Sequence, residues 1–415
     1  MYWSLLILFV TLVYLVLKPE KIRERVFSSL FILMFALTYF GGLFVIQFVS
    51  EASPVSGFKS LSGEINDGVI GVPAISLLFL IFGNSLRTNR NRDKEVSYST
   101  SEGVISIFLA CLSILLYVAI NGVVLFKSSS YDARYESNVG LGLLTKYINF
   151  GLVFLIQFYI VSRAKLTSYL YALIFCAAVF SVMGGYRQVA FAAILNVILL
   201  QFIEGRFTLK RLILYFTIGI IVINFVALLR YGISIQDLFS SDSLRLVVFF
   251  FFDGLIPVDA FLRIVDYCEV HKAPGLSIPI NQFLSYVPRF IWSDKPIVIM
   301  NAGNFYTSVI LNRTNFITYS PTFLGELYLI GGKYACFVGS FSAGVLIRKL
   351  DSYSTKQNIG LKSIFVLSFG FLIIFNLYRE GFFVALSLIF ILLVLYVPIH
   401  LLNHIIPKKI PNEKS

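Results

Sequence analysis

The 415 residues are 58% hydrophobic and 13% charged, with a mean hydropathy of +0.84; soluble domains lie nearer to about half apolar and a quarter charged. That composition excludes an ordinary soluble enzyme and reads as an all-α, polytopic integral membrane protein. The formal charge of +12 requires no nucleic-acid partner, because basic residues gathered against anionic lipid account for it.

A helix needs roughly 20 apolar residues to cross the hydrocarbon while satisfying its own backbone. About eleven stretches qualify on that basis, at 2–17, 27–49, 68–84, 103–126, 147–162, 167–184, 188–203, 212–229, 334–347, 363–378 and 381–401. The first begins at Met1 without a positive flank, and its cations follow it. That is the reverse of a cleavable signal peptide, so the helix is expected to be retained. With the amino terminus outside, the basic clusters at 18–25, 87–94, 163–165, 206–211 and 348–362 and the tail "PKKIPNEKS" all fall inside, as the positive-inside bias requires. The whole formal charge then lies on the cytoplasmic side.

The chain reads as a single membrane domain, 1–415, with short loops except at 51–68 and 231–320. Long loops within compact proteins are usually functional, which makes 231–320 the first place to look. In it, 244–267 is apolar but interrupted by Asp253, Pro257 and Asp259. A full crossing there would turn the later basic clusters outward, so an interfacial or re-entrant helix is expected. "YVPRFIWSDKPIVIMNAGNFY" (286–306) is dense in Pro, aromatic residues, Asn and cations. "SPTFLGELYLIGGKY" (320–334), interrupted by Gly331 and Gly332, reads either as a half-helix or as the outer part of a long ninth span. Cys111, Cys176 and Cys336 fall in apolar stretches and Cys268 in the loop, which gives neither a disulfide framework nor a metal-ligand spacing. His271 is outside, and His400 and His404 fit interfacial anchoring.

No ionisable residue stands near the centre of a proposed span, which argues against coupled ion transport. Ionisable residues gather at the outer level instead: Arg187 in "GGYRQ", Arg230 in "LLRYG", Arg379 and Glu380 in "LYREG", with Arg289, Lys295, Asp253, Asp259 and Glu326. A single arginine at a helix end snorkels and anchors. Several on different helices, against the charge bias, fit a polyanionic headgroup such as a lipid pyrophosphate, since the guanidinium fork binds phosphate bidentately. Neutralised pyrophosphate leaves without a general acid, so glycosyl transfer from it requires only a base for the acceptor hydroxyl. Asp253, Asp259, Glu326 and Glu380 are the candidates, with Asp253 and Glu380 foremost. An ion pair with Arg379 is an equal reading of Glu380, and capping beside Gly254 is one for an aspartate. Tyr286, Trp292, Phe305 and Tyr306 suit either sugar stacking or an aromatic belt.

The segments "VPRFIWSDKPIVIMNAGNFYT" and "YSPTFLGELYLIGG", with "GGYR", "LRYG", "REG" and the spacing of Asp253, Pro257 and Asp259, resemble the Wzy-type polymerases, most closely the enterobacterial common antigen group. The likeness covers roughly the second half of the chain; the first four helices are similar only in hydropathy. It implies a glycosyltransferase type C-like architecture in a bacterial inner membrane, with 231–320 as a periplasmic loop bearing interfacial helices. The implied reaction moves a growing glycan from undecaprenyl pyrophosphate to the next lipid-linked oligosaccharide repeat unit. It further implies phosphate contacts from Arg187, Arg230, Arg379, Arg289 and Lys295, and glycan contacts from Trp292, Asn301, Tyr306 and Glu326. The implied partners are membrane lipid and a Wzz-type chain-length regulator, with no cofactor and no metal. Two other readings stay open on composition: an O-antigen ligase acting on lipid A core, and a non-enzymatic flippase of the lipid-linked oligosaccharide.

Overall fold

The computed structural model describes residues 25–42, 67–86, 258–287, 291–296, 298–313, 318–354 and 361–405, with single positions at 115, 119, 208, 210, 211, 214, 217 and 218. Arg187, Arg230, Asp253 and Arg289 lie outside these, as do the expected spans at 2–17, 147–162, 167–184 and 188–203. Among the described residues the secondary structure is helical and contains no strand.

Helix α1 (Val26–Ala36) continues as a π turn, Leu37–Gly41; α2 is Asp67–Ser85. The described residues of 231–320 hold α3 (Val258–Val270), α4 (Ser277–Leu284) and α5 (Ala302–Phe305), the last running into a π turn, Tyr306–Ile310. Then come α6 (Phe323–Ser354), α7 (Leu361–Arg379) and α8 (Phe382–Ile405). The expected spans at 68–84, 363–378 and 381–401 coincide with α2, α7 and α8 to within a few residues. Helix α3 starts where Pro257 and Asp259 lead one to look, since Pro and an acid favour a first turn, but it runs on to Val270. By length and composition, one helix among the described residues is apolar enough to cross a membrane, over Phe323–Ser352.

The chain divides into two compact units. One comprises Met1–Arg90, Gly205–Thr355 and Ile373–Ser387; the other comprises Asn91–Glu204, Lys356–Leu372 and Leu388–Ser415. The described segments of the second, 361–372 and 388–405, are helical. The packing below belongs to the first.

Helix α6 is two pieces. Gly331 (φ −162°, ψ 31°) and Gly332 (φ 61°, ψ −150°) are non-helical, and the Gly332 geometry is one that essentially only glycine adopts. In an unbroken helix, residues twelve apart stand about 18 Å apart along the axis. Here Cys336 Sγ donates to the Leu324 carbonyl at 3.4 Å, and a Cβ on Gly339 would meet the Leu327 methyls at 2.5 Å. The half-helix 323–330 is therefore folded back on the following limb. That limb, 333–354, is about 33 Å long at 1.5 Å per residue, close to one hydrocarbon thickness.

The long limb packs on α2 through small residues. A Cβ on Gly83 would stand 2.2 Å from the Phe341 carbonyl oxygen, and one on Gly344 2.2 Å from that of Leu80. Such close backbone approach is how helices associate where apolar burial provides no drive. The rings of Phe79 and Phe337 stack beside it, 5.6 Å apart. At the far end, Asp351 is fully buried and caps α1 from outside: its carboxylate accepts Phe27 N–H at 2.9 Å and Ser28 N–H at 3.2 Å. The Ser28 hydroxyl donates to the same carboxylate and lies 2.9 Å from the Asn84 amide. The carboxylate thereby supplies what Arg25 at the N-cap does not, since no side chain caps α1 locally.

Asp351→Ala should cost about 2 kcal/mol by stranding two helix N–H groups. Gly332→Ala should cost about 1–3 kcal/mol through its positive φ. Thermal unfolding of the purified variants in detergent checks both, and Asp351→Asn should retain part of the loss.

Candidate functional site

The half-helix is buried over Phe323 to Leu327 and at Leu329, with Phe323, Leu324, Glu326 and Leu329 at 0% exposure. Its N-terminal amides must be satisfied without water. Thr322, at φ 68°, is the cap: its hydroxyl accepts Gly325 N–H at 3.2 Å and its carbonyl accepts Glu326 N–H at 3.0 Å. Leu324 N–H goes to the Tyr39 hydroxyl at 2.9 Å. The π turn in α1 aims neighbouring residues at different partners, for Thr38 donates to the Tyr378 hydroxyl on α7 at 2.6 Å. At the other end of the half-helix, the Leu329 carbonyl accepts Gly275 N–H at 3.1 Å.

This arrangement carries Glu326 to the corner between α7 and α8. The corner consists of Glu380 and Gly381, whose N–H groups both bond to the Asn376 carbonyl, at 2.8 and 3.0 Å. Gly381 has φ 129°, and a Cβ there would fall 2.4 Å from Glu326 Oε2. That oxygen accepts the N–H of Phe383 in the first turn of α8, at 2.9 Å, so the carboxylate sits at the positive end of a helix dipole. Oε1 is buried and finds no hydrogen-bond donor among the described residues.

Outside this buried carboxylate stand Arg379 and Glu380, paired at 3.7 Å with side chains 22% and 25% exposed. The guanidinium lies 5.9 Å from the centre of the Phe375 ring, and its Nε makes no hydrogen bond among the described residues. The Arg379 carbonyl accepts from the Ser320 hydroxyl, which ties the corner to the residue two before the helix cap. Tyr286 closes another side. Its hydroxyl lies 3.3 Å from both Gln282 Nε2 and Ser387 Oγ, and Ser387 also donates to the Val384 carbonyl at 2.7 Å. Burial pushes the Tyr286 phenol above its ordinary value, hydrogen bonds from Ser387 and Gln282 pull it down, and the Glu380 charge pushes it up again.

The other candidates are placed as follows. Lys295 donates to the carbonyls of Ser285 and Val287 at 2.6 and 2.9 Å, holding the turn that carries Tyr286. Half-buried Trp292 shares a turn with it, its carbonyl accepting Lys295 N–H at 3.2 Å. Asn301 caps α5, its side chain accepting Asn304 N–H at 3.0 Å. Tyr306, 3% exposed, packs with Ala260, Ile264, Ile278, Ala302 and Leu329. Asp259 pairs with Arg263 one turn on, at 3.8 Å. The site thus joins Glu326, Arg379 and Glu380 with Tyr286, and Lys295 adjoins through the turn; Gln282, Ser387 and Ser320 were not singled out as site residues from the sequence.

A family model described as WzyE protein, O-antigen assembly polymerase, matches residues 1–407. The chain belongs to the WzyE family. The match covers nearly the whole chain, whereas the motifs identified in the sequence lie in its second half, so the first half of the sequence is brought into the same family. No solved structure matches the chain. The corner residues Arg379, Glu380 and Gly381, and the segment that begins at Ser320, are therefore features of a WzyE chain.

Gly381→Ala must displace Glu326 and strain a positive φ, and should destabilise the protein by about 1–3 kcal/mol. Ser320→Ala, which removes one tie to the same corner, should cost nearer 1 kcal/mol. Paired thermal-unfolding curves in detergent measure the difference.

Proposed function

We propose that the protein polymerises undecaprenyl pyrophosphate-linked oligosaccharide repeat units into an O-antigen-type surface polysaccharide on the periplasmic face of the inner membrane. The WzyE match supports polymer assembly. The observation that carries the chemistry is the Arg379–Glu380 pair, part-exposed at a helix corner and backed by the buried Glu326.

In this reading the bond from the anomeric carbon of the growing chain to its phosphate oxygen breaks. A bond to an acceptor hydroxyl of the incoming repeat unit forms, the hydroxyl proton goes to a carboxylate, and undecaprenyl pyrophosphate leaves. Arg379, with Arg187, Arg230 and Arg289, neutralises the departing charge, where preorganised cations contribute most. Lys295 contributes less directly, because two of its donors hold backbone carbonyls. Glu380 is the favoured base among the described acids. It is more accessible than Glu326, and it stands at the corner beside Arg379, whereas Asp259 stands on α3 beside Arg263. Asp253 stays a candidate beside it. Trp292, half-buried, is the aromatic residue favoured for sugar contact; Asn301 and Tyr306 support the loop that presents it. A Wzz-type chain-length regulator is the expected partner of such an enzyme.

Arg187→Ala, Arg230→Ala and Arg379→Ala should each lower polymer formation by about 10²-fold or more while the protein still inserts. Glu380→Gln should lose about 10²- to 10⁴-fold if it is the base. Gels of surface polysaccharide from complemented deletion cells decide: single repeat units on their final acceptor without a ladder identify the polymerase. Long chains retained on undecaprenyl pyrophosphate would mark a ligase, and repeat units held in the cytoplasm a flippase. Normal ladders in all three arginine variants would remove the pyrophosphate clamp.

A further inference from the structure

The short helix α4 is apolar on the wrong side for a loop in water. Its inner face buries Ile278, Pro279 and Gln282. Its outward residues Leu276, Ile280 and Phe283 are 70%, 58% and 40% exposed and follow the i, i+4, i+7 spacing of one helix face. Met300, 42% exposed, adjoins them, because the Asn281 side chain donates to its carbonyl at 3.0 Å. From Pro274 to Pro288 the chain has no Asp, Glu, Lys, Arg or His.

The position of this face in the fold says what covers it. Gly275 N–H bonds to the Leu329 carbonyl, so α4 begins beside the end of the half-helix, at the Gly331–Gly332 reversal where the membrane-length limb starts. The first residues of that limb are Lys333 and Tyr334. Tyr334 is 71% exposed and the Lys333 ammonium stands 5.5 Å from its ring centre. An exposed Lys and Tyr at the head of an apolar helix are the anchors proteins set at the membrane–water boundary. The apolar face of α4 therefore starts at that boundary and continues the lipid-facing surface of the limb.

We infer that α4 lies in the outer leaflet, with Leu276, Ile280 and Phe283 inserted among lipid acyl chains, so that the bilayer itself fixes one wall of the site. The insertion seats the loop through α4, and Tyr286 follows directly from the helix's last turn, stapled there by Lys295. The apolar face of an interfacial helix sits about 5–10 Å below the headgroup boundary, which sets the depth expected here. This inference rests on the membrane orientation of the proposed function and not on its chemistry.

The test uses the two native tryptophans, Trp3 and Trp292. In full-length protein carrying Trp3→Phe and Trp292→Phe, Ile280→Trp reports from the middle of the face, and Phe283→Trp, a ring-for-ring exchange, serves as a second reporter should the first not fold. Reconstituted into phosphatidylcholine vesicles with acyl-brominated lipid, the reporter should lose more than about half its fluorescence at a depth of this kind and resist quenching by aqueous iodide. Quenching by iodide and not by bromolipid overturns the inference in favour of an aqueous surface. Protection from both overturns it in favour of a protein occupant, a second copy of the chain. The vesicles contain no substrate and the readout asks nothing of activity, so failure here removes this inference alone, while polymer made in cells by the protein with its native tryptophans tests the proposed function separately.

Discussion

A helix whose first turn is sealed from water must have its terminal amides answered from within the protein, and the half-helix 323–330 imposes that condition on what surrounds it. The groups that answer it come from far apart in the sequence: Tyr39 from α1, Thr322 as the cap, Gly275 ahead of α4 and Cys336 from the long limb. Each contributes a modest net hydrogen bond, but leaving any one of them unmade would cost about 1–3 kcal/mol of desolvation. The packing of α1, α3 and α6 follows from meeting that requirement. A ring cluster of Phe31, Phe35, Tyr39, Phe261 and Phe323 fills the space between.

The same requirement explains the long loop. Its residues act on the site through backbone geometry. Lys295 neutralises the carbonyl ends after α4 and so fixes Tyr286; Asn301 starts α5, and Tyr306 locks α5 against α3 and the half-helix. Pro, Asn, aromatic residues and a lysine are what a compact, capped structure needs when it covers a dry helix. Among the described residues of the segment, the unusual ones cap, brace and fill a folded structure.

Much of this was legible in the sequence, and the failures have physical reasons. Apolar runs located α2, α7 and α8, and the double glycine marked a break at 331–332. Whether the piece before the break folded back was open, because a reversal and a kink demand the same glycines; the contact of Leu327 with Gly339 decides it. Asn301 and Tyr306, expected as sugar contacts, also cap α5 and pack in the core, because capping and core packing use the same residue types as sugar binding. Asp351 was hidden in a basic cluster, and its partner is the start of α1, more than 300 residues earlier. Tyr39 was hidden in an apolar run, where one hydroxyl changes nothing in the hydropathy but satisfies an amide of the half-helix.

The corner between α7 and α8 brings two carboxylates and one arginine together, and their environments push them apart in role. Glu326 is sealed in and bonded to the start of α8, so its side chain is fixed against that helix's first turn. Glu380 shares its partner with the surface. At 3.7 Å the Arg379–Glu380 contact is longer than the 2.7–2.9 Å or so of a charge-assisted hydrogen bond, so the pair is an attraction without a tight bond. A guanidinium has five donors, and the buried Nε of this one makes no hydrogen bond among the described residues. On the proposed chemistry a pyrophosphate oxygen can therefore engage Arg379 without first breaking a strong bond. That engagement would draw the guanidinium away from Glu380 and leave the carboxylate oxygens open to the acceptor hydroxyl. Gly381 makes the arrangement possible, because any side chain there would occupy the space that Glu326 fills.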